Sequence, residues 1–210
     1  MLKIHGRRTS SNVQAVVWVA GELGLDFERI DIGGHFGGTD TPEYRGMNPM
    51  GLIPVLEDGE TTLFESAAIV RYLIGRFGPG PFGSAPECDV WAEWGKNTFG
   101  AAFTVPIFWA FFRTPEAQRD MPKVVTALRR FEGLASIAME QRAERSWIVG
   151  DKICPADIWV GHVLYRYFTL DLPREVPRGL AAYYDALQER RAYGAHVMVD
   201  YSELQGVMRG

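Results

Sequence analysis

Residues 48 to 58 read Asn48-Pro49-Met50-Gly51-Leu52-Ile53-Pro54-Val55-Leu56-Glu57-Asp58, and seven positions further on Glu65-Ser66 opens an apolar run of helical spacing. Val55-Leu56 has the character of a buried strand, yet a proline stands at its mouth. Proline has no N–H to give a sheet ladder, so Pro54 marks an edge, a special turn or a cis peptide. Asp58-Gly59 divides Ile53 to Glu57 from Thr62 to Glu65 and predicts a hairpin. Ile69, Val70, Leu73 and Phe77 then share one face of a helix that begins at Ser66.

Upstream, Leu2-Lys3-Ile4-His5 is a short strand candidate, followed by a turn of charged and hydroxyl residues. Val13, Val16, Val17, Ala20 and Leu23 fall at helical spacing, with a helix start around Ser10 to Asn12. Phe27 to Ile32 alternates apolar and charged residues as a second strand, so the chain opens on a strand-helix-strand unit with a parallel pair. The order strand, helix, strand, loop, strand, strand, helix predicts an α/β domain over residues 1–77, thioredoxin-like, with a mixed four-stranded sheet and helices.

Residues 78–86, Gly-Pro-Gly-Pro-Phe-Gly-Ser-Ala-Pro, suit neither helix nor strand and read as a linker. Beyond it strand signals vanish. Stretches 87–112, 121–145, 155–169 and 177–190 carry helical spacing, which predicts an all-α domain, a helical bundle, over residues 87–210.

Composition narrows the function classes. With 47% hydrophobic and 23% charged residues the 210-residue chain is globular, and its net charge of −4 with a pI of about 5.6 argues against nucleic acid as a partner. The longest apolar stretch, Phe99 to Phe112, contains Gly100, Thr104 and Pro106 and falls short of the ~20 residues that cross a bilayer. The N-terminus lacks an apolar signal core, and Cys88 and Cys154 form no CxxC pair, so a cytoplasmic protein without membrane attachment is expected. His5, His35, His162 and His196 have no ligand spacing, so no metal is expected, and His162 inside an apolar run reads as structural.

Four stretches, in this order, carry a family resemblance: Arg8-Thr9-Ser10-Ser11-Asn12-Val13; Asn48 to Leu56; Phe64-Glu65-Ser66-Ala67-Ala68-Ile69; and Gly150-Asp151 to Asp157-Ile158. Together they resemble the cytosolic glutathione transferases, bacterial serine-type members of the theta-like or nu-like kind above all. The resemblance implies a cis peptide before Pro54, with the Ile53 backbone pairing with the cysteinyl backbone of glutathione. It implies that Glu65-Ser66 grips the γ-glutamyl end, where the N-terminus of a helix suits a carboxylate. It implies a homodimer, glutathione as co-substrate, and an apolar electrophile lodged on the first helix of the second domain, for which Thr98, Phe103 and Phe108 are the candidates.

Glutathione is itself the nucleophile, so such a protein needs only to hold the thiol as a thiolate. The first tyrosine is Tyr44, with His5-Gly6 where tyrosine-type enzymes place theirs, and no cysteine precedes Cys88. Ser10, with Asn12 two residues on, remains as the activating pair; Ser11 is the alternative donor, and the same Ser-Ser-Asn cluster also suits a helix cap. Several classes of the family that the chain resembles place a basic or amide side chain near the glycine end of glutathione, and the matching positions here hold Thr39, Met50, Gly51 and Leu52. Thr39 is the ligand candidate there, and Arg7, Arg8, His35 or Arg45 could bring the missing counter-charge. Cys154-Pro155-Ala156-Asp157 starts its helix with a poor cap, so a weakly nucleated helix and a buried structural thiol are expected. Conjugation of an electrophile is the leading activity; glutathione-dependent disulfide reduction and a non-catalytic binding module are the alternatives.

Overall fold

A computed structural model describes residues 1–208. The chain divides into two compact units, Met1–Pro81 with Arg191–Val199, and Phe82–Arg190 with the segment from Asp200 onward. Residues 191–199 thus belong with the first unit, whereas the composition break at residues 78–86 assigns them to the helical one.

In the first unit, β1 (Leu2–His5), α1 (Ser11–Glu22) and β2 (Phe27–Ile30) form the parallel opening, and β3 (Val55–Asp58) and β4 (Thr61–Phe64) form the hairpin. The sheet order is β2-β1-β3-β4, with β1 parallel to β2 and antiparallel to β3. The second strand stops at Ile30, two residues short of the alternation, although Arg7 N–H still donates to the Ile32 carbonyl at 3.1 Å. Gly6 turns the chain from β1 into α1 with Val13 packed so close that an added Cβ would lie 2.3 Å from its Cγ2. The 3₁₀ turn Gly34–Phe36 and α2 (Pro42–Met47) carry the chain to β3, and α3 (Ser66–Phe77) closes the α/β order. On α3 Ile69, Val70 and Leu73 are buried as the periodicity predicts, while Phe77 at its last turn is exposed.

Helix α1 is buried on almost every side from Val13 to Ala20, far beyond the single stripe in its sequence. The reason is α10 (Arg191–His196), which packs on it with Tyr193 edge-on to Trp18 at 4.8 Å. A helix apolar all round needs a partner on each face, and α10 is the second partner.

The second unit holds α4 (Glu87–Trp94), α5 (Ala101–Phe103), α6 (Met121–Arg142), α7 (Pro155–Gly161), α8 (Leu164–Thr169) and α9 (Leu180–Gln188). Residues from α4 to Arg113 form one continuous helical rod, wide-turned over Gly95–Gly100 and Thr104–Arg113. Pro106 lacks an N–H and disturbs the regular ladder, and Thr104 Oγ1 donates to the Gly100 carbonyl at 2.8 Å. Phe131 lies 4.5 Å from Phe99, 5.1 Å from Phe103 and 5.3 Å from Tyr167, ring centroid to ring centroid.

The start of α7 is better held than Cys154 suggests. Asp157 Oδ2 accepts from Cys154 N–H at 2.8 Å, and Oδ1 accepts from Ile148 N–H and from Tyr183 O–H, both at 2.9 Å. The weak cap expected from the sequence is corrected by this fully buried carboxylate, which ties three segments together. Burial pushes the thiols of Cys154 and Cys88 up, so neither is a thiolate at neutral pH.

Candidate functional site

Ser10 stands at the N-cap of α1 in extended conformation, φ −82° and ψ 123°, and its hydroxyl makes no capping bond to the helix. Its backbone is fixed independently: Ser10 N–H donates to Arg7 at 3.1 Å, and its carbonyl accepts from Gln14 N–H at 2.8 Å. Gln14 Nε2 donates to the Arg8 carbonyl at 3.2 Å and Arg7 Nη1 to Thr9 Oγ1 at 3.0 Å, which ties down the rest of the loop. A half-buried hydroxyl is therefore held at the positive end of a 12-residue helix without being consumed as its cap.

Ser66 starts α3 and is buried, and its Oγ donates to Asn12 Oδ1 at 3.4 Å. This bond brings the Ser10-x-Asn12 and Glu65-Ser66 motifs together across 54 residues. Glu65 precedes the helix with φ 69° and ψ 106°, a left-handed region that costs a side-chain-bearing residue of order 1–3 kcal/mol. Its side chain is exposed at the start of α3, where the positive end of the helix suits an anion.

The Ile53–Pro54 peptide is cis. The preceding Leu52 carbonyl accepts two hydrogen bonds, from Asn48 Nδ2 at 2.7 Å and from Tyr44 O–H at 2.8 Å. Asn48 Oδ1 accepts from Met50 N–H at 3.0 Å, so one buried amide spans the turn from Asn48 to Leu52. Tyr44 is 1% exposed, and burial pushes its phenol up to about 12, which keeps it a donor. Behind it, on β1, His5 Nε2 lies 2.5 Å from Glu57 Oε1. Sequence reasoning missed Tyr44 and Asn48 as supports; Asn48 at the head of the opening stretch was the available signal.

At the far side of Ile53, Gly33, Thr39 and Gly51 crowd together. A Cβ on Gly33 would lie 3.2 Å from Ile53 Cδ1 and 3.5 Å from Thr39 Cγ2, and one on Gly51 (φ +62°) would lie 2.8 Å from the Thr39 carbonyl. Ser10, Asn12, Thr39, Ile53, Pro54, Glu65 and Ser66 all belong to the first unit.

In the helical unit Thr98 is half-buried, but Phe103 and Phe108 are each 1% exposed. Phe103 packs on Phe131, and Phe108 sits between Phe112 and Tyr201 with the Arg166 guanidinium 4.3 Å above its ring. Both phenylalanines are packed into the core of this unit, whereas the sequence offered them as pocket candidates. A cavity of about 400 Å³ on this unit is lined instead by Ala102, Pro106, Pro122, Lys123, Thr126, Ala127 and Arg130. Among the described residues no cluster of His, Cys, Asp and Glu could hold a metal ion, and no helix is long and apolar enough to cross a membrane.

A sheet of order β2-β1-β3-β4 with a cis-proline at the mouth of β3, joined to an all-helical unit, defines a thioredoxin-like domain with a helical companion. Residues 1–75 match the model of the glutathione S-transferase N-terminal domain. The chain is 31% identical to glutathione S-transferase GstB of Escherichia coli K12 over 96% of this chain and 100% of that one. It is 29% identical to glutathione S-transferase 3 of Zea mays over 82% and 80% of the two chains. The crystal structure of a theta class glutathione S-transferase from Xanthomonas axonopodis pv. citri with glutathione bound superposes with a TM-score of 0.88 at 38% identity, covering 95% of this chain and 98% of that one. The chain belongs to the cytosolic glutathione S-transferase family, and it is a glutathione transferase.

Proposed function

We propose that this glutathione transferase activates glutathione through the Ser10 hydroxyl, with Asn12 beside it, and delivers the thiolate to a small apolar electrophile. The Ser10 O–H donates to sulfur, and the N-terminus of α1 adds a positive partial charge, so the thiol loses its proton at lower pH than in water. The thiolate then attacks the electrophilic carbon: its lone pair becomes the S–C bond, and the pair of the bond that breaks departs with the leaving group or, in an addition, moves from the π bond onto the acceptor, which takes a proton from solvent. Ile53 offers its backbone to the cysteinyl residue, Ser66 and the first turn of α3 take the γ-glutamyl carboxylate, and Glu65 takes the ammonium.

The observation that carries this reading is the Ser10 hydroxyl held at a helix start with no capping bond. Asn12, joined to Ser66, supports a shared site for both motifs. The two buried protein thiols, pushed up by burial, speak for glutathione rather than a protein cysteine as the nucleophile. A homodimer is part of this proposal, to be checked by size exclusion with light scattering.

Calorimetric titration with glutathione, followed by assays with a halonitroarene and with 2-hydroxyethyl disulfide on one preparation, tests it. Binding with turnover of the halonitroarene is expected. Turnover of the disulfide alone moves the assignment to disulfide reduction by two glutathiones, and no binding heat at millimolar glutathione removes the site.

A further inference from the structure

Cys88 and Cys154 are the two cysteines of the chain, 66 positions apart, and the transfer reaction uses neither. The fold brings them together: Cys88 in the first turn of α4 and Cys154 at the N-cap of α7 are in side-chain hydrogen-bond contact. We propose that this thiol pair is a redox modification site, at which a small hydroperoxide closes an intramolecular Cys88–Cys154 disulfide that staples α4 to α7. The inference stands apart from the glutathione reading above.

Two braces hold the backbones on either side of the pair. Upstream of Cys88, Gly83 N–H donates at 2.8 Å to the carbonyl of Ile153, the neighbour of Cys154. Downstream, the two helical segments meet so closely that a Cβ on Gly95 would lie 2.9 Å from Trp159 Cβ and 3.4 Å from its carbonyl carbon. Each cysteine is also fixed on its own element: Cys88 N–H donates to the Ala85 carbonyl at 2.9 Å, and Cys154 N–H to Asp157 Oδ2 at 2.8 Å. A disulfide asks for sulfurs about 2.05 Å apart on Cβ atoms about 3.8 Å apart. With both backbones held and the thiols already in contact, that approach is left to side-chain rotation.

Burial selects the oxidant and the order of the steps. Cys88 is 4% exposed and Cys154 0%, so a water-sized peroxide reaches Cys88, whereas bulky glutathione disulfide does not. Cys88 loses its proton and its sulfur attacks one peroxide oxygen; the O–O bond breaks, leaving a sulfenic acid and the first water. The Cys154 sulfur then attacks the Cys88 sulfur, the S–S bond forms, and the S–O bond breaks with its hydroxyl leaving as the second water. The two thiols give up two electrons and two protons, and hydrogen peroxide becomes two waters. The same burial keeps both thiols protonated at neutral pH, so the first step is slow and the pair answers sustained peroxide.

The test is non-reducing peptide mapping by mass spectrometry of wild type, Cys88→Ser and Cys154→Ser after prolonged incubation with millimolar hydrogen peroxide, with thermal melts before and after. Wild type is expected to yield one pair of peptides linked through Cys88 and Cys154, lighter by two hydrogens and separated by dithiothreitol, and neither serine variant yields it. Closing a loop of this length in a geometry the fold already holds raises the melting temperature by about 5–10 °C. Thiols that stay free, sulfinic or sulfonic acid without the linked pair, a bridge between two chains, or a linked pair that leaves the melting temperature unchanged or lower overturns the assignment. A bridge formed as fast by glutathione disulfide as by peroxide overturns the choice of oxidant.

Discussion

Replacing Ser10 by alanine separates two jobs that one hydroxyl at a helix start can do. A serine that caps its helix costs about 1 kcal/mol of stability when truncated. Here the hydroxyl makes no capping bond, and the Ser10 backbone is held by Arg7 and Gln14 whatever the side chain. Ser10→Ala is therefore expected to change unfolding free energy by less than about 0.5 kcal/mol. The chemistry responds differently. A hydrogen bond to a charged group contributes about 1–3 kcal/mol, which at 1.36 kcal/mol per unit raises the bound thiol pKa by about one to two units. Below both pKa values the thiolate fraction falls about ten- to hundredfold. A more basic thiolate is also a better nucleophile, which trims the loss in kcat/KM to about three- to tenfold. Above both pKa values ionisation is complete in both enzymes, and the more basic thiolate of Ser10→Ala is expected to react about three- to tenfold faster, so the two profiles cross. The assay is a pH profile of kcat/KM with a halonitroarene, with ultraviolet titration of the bound thiolate and a urea transition alongside. An unshifted profile, or a stability loss of 1 kcal/mol or more with normal chemistry, returns Ser10 to the role of a cap.

Three further outcomes follow from the same geometry. Tyr44→Phe removes one of two donors to the Leu52 carbonyl and is expected to cost about 1 kcal/mol, while Asn48→Ala loses bonds to Leu52 and Met50 and costs about 2. Both should raise KM for glutathione, and urea midpoints that do not move in either variant would refute the bracing role. Gly51→Ala and Gly59→Ala share positive φ, +62° and +60°, but only the first meets a backbone oxygen, so its melting temperature should fall well below that of Gly59→Ala. His162 is buried, and desolvation first of all pulls its pKa down to about 3. The unfolded chain, with an ordinary value near 6.5, binds the proton first, so stability falls as pH drops from about 6.5 toward 3, by up to ~1.4 kcal/mol per unit. His162→Gln should flatten that slope between pH 6 and 4.5 in urea titrations; a slope unchanged from wild type removes His162 as its source.

Much of this protein is legible in the order of its residues because the deciding interactions are local. The starts of α1 and α3 follow from Ser10 and Ser66 and from apolar residues three and four apart, and Asp58-Gly59 predicts the hairpin between β3 and β4. The cis peptide at Ile53–Pro54 entered through the resemblance of the whole stretch, since strand chemistry alone allowed an edge or a turn just as well.

What remained hidden depends on residues far apart in the chain. The sequence of α1 shows one apolar stripe, but Trp18 is buried because Tyr193, from a segment 175 positions later, covers its other face. Phe103 and Phe108 read as pocket candidates along the chain, and only the packing of Phe131, Arg166 and Tyr201 on them shows both rings buried. Asp157 looks like half of a poor cap until Ile148 and Tyr183 arrive as its donors. Local hydrogen bonding and periodicity can be read along a chain. Which face of a side chain is covered, and which donors reach a buried carboxylate, is decided only when distant segments compete for the same space.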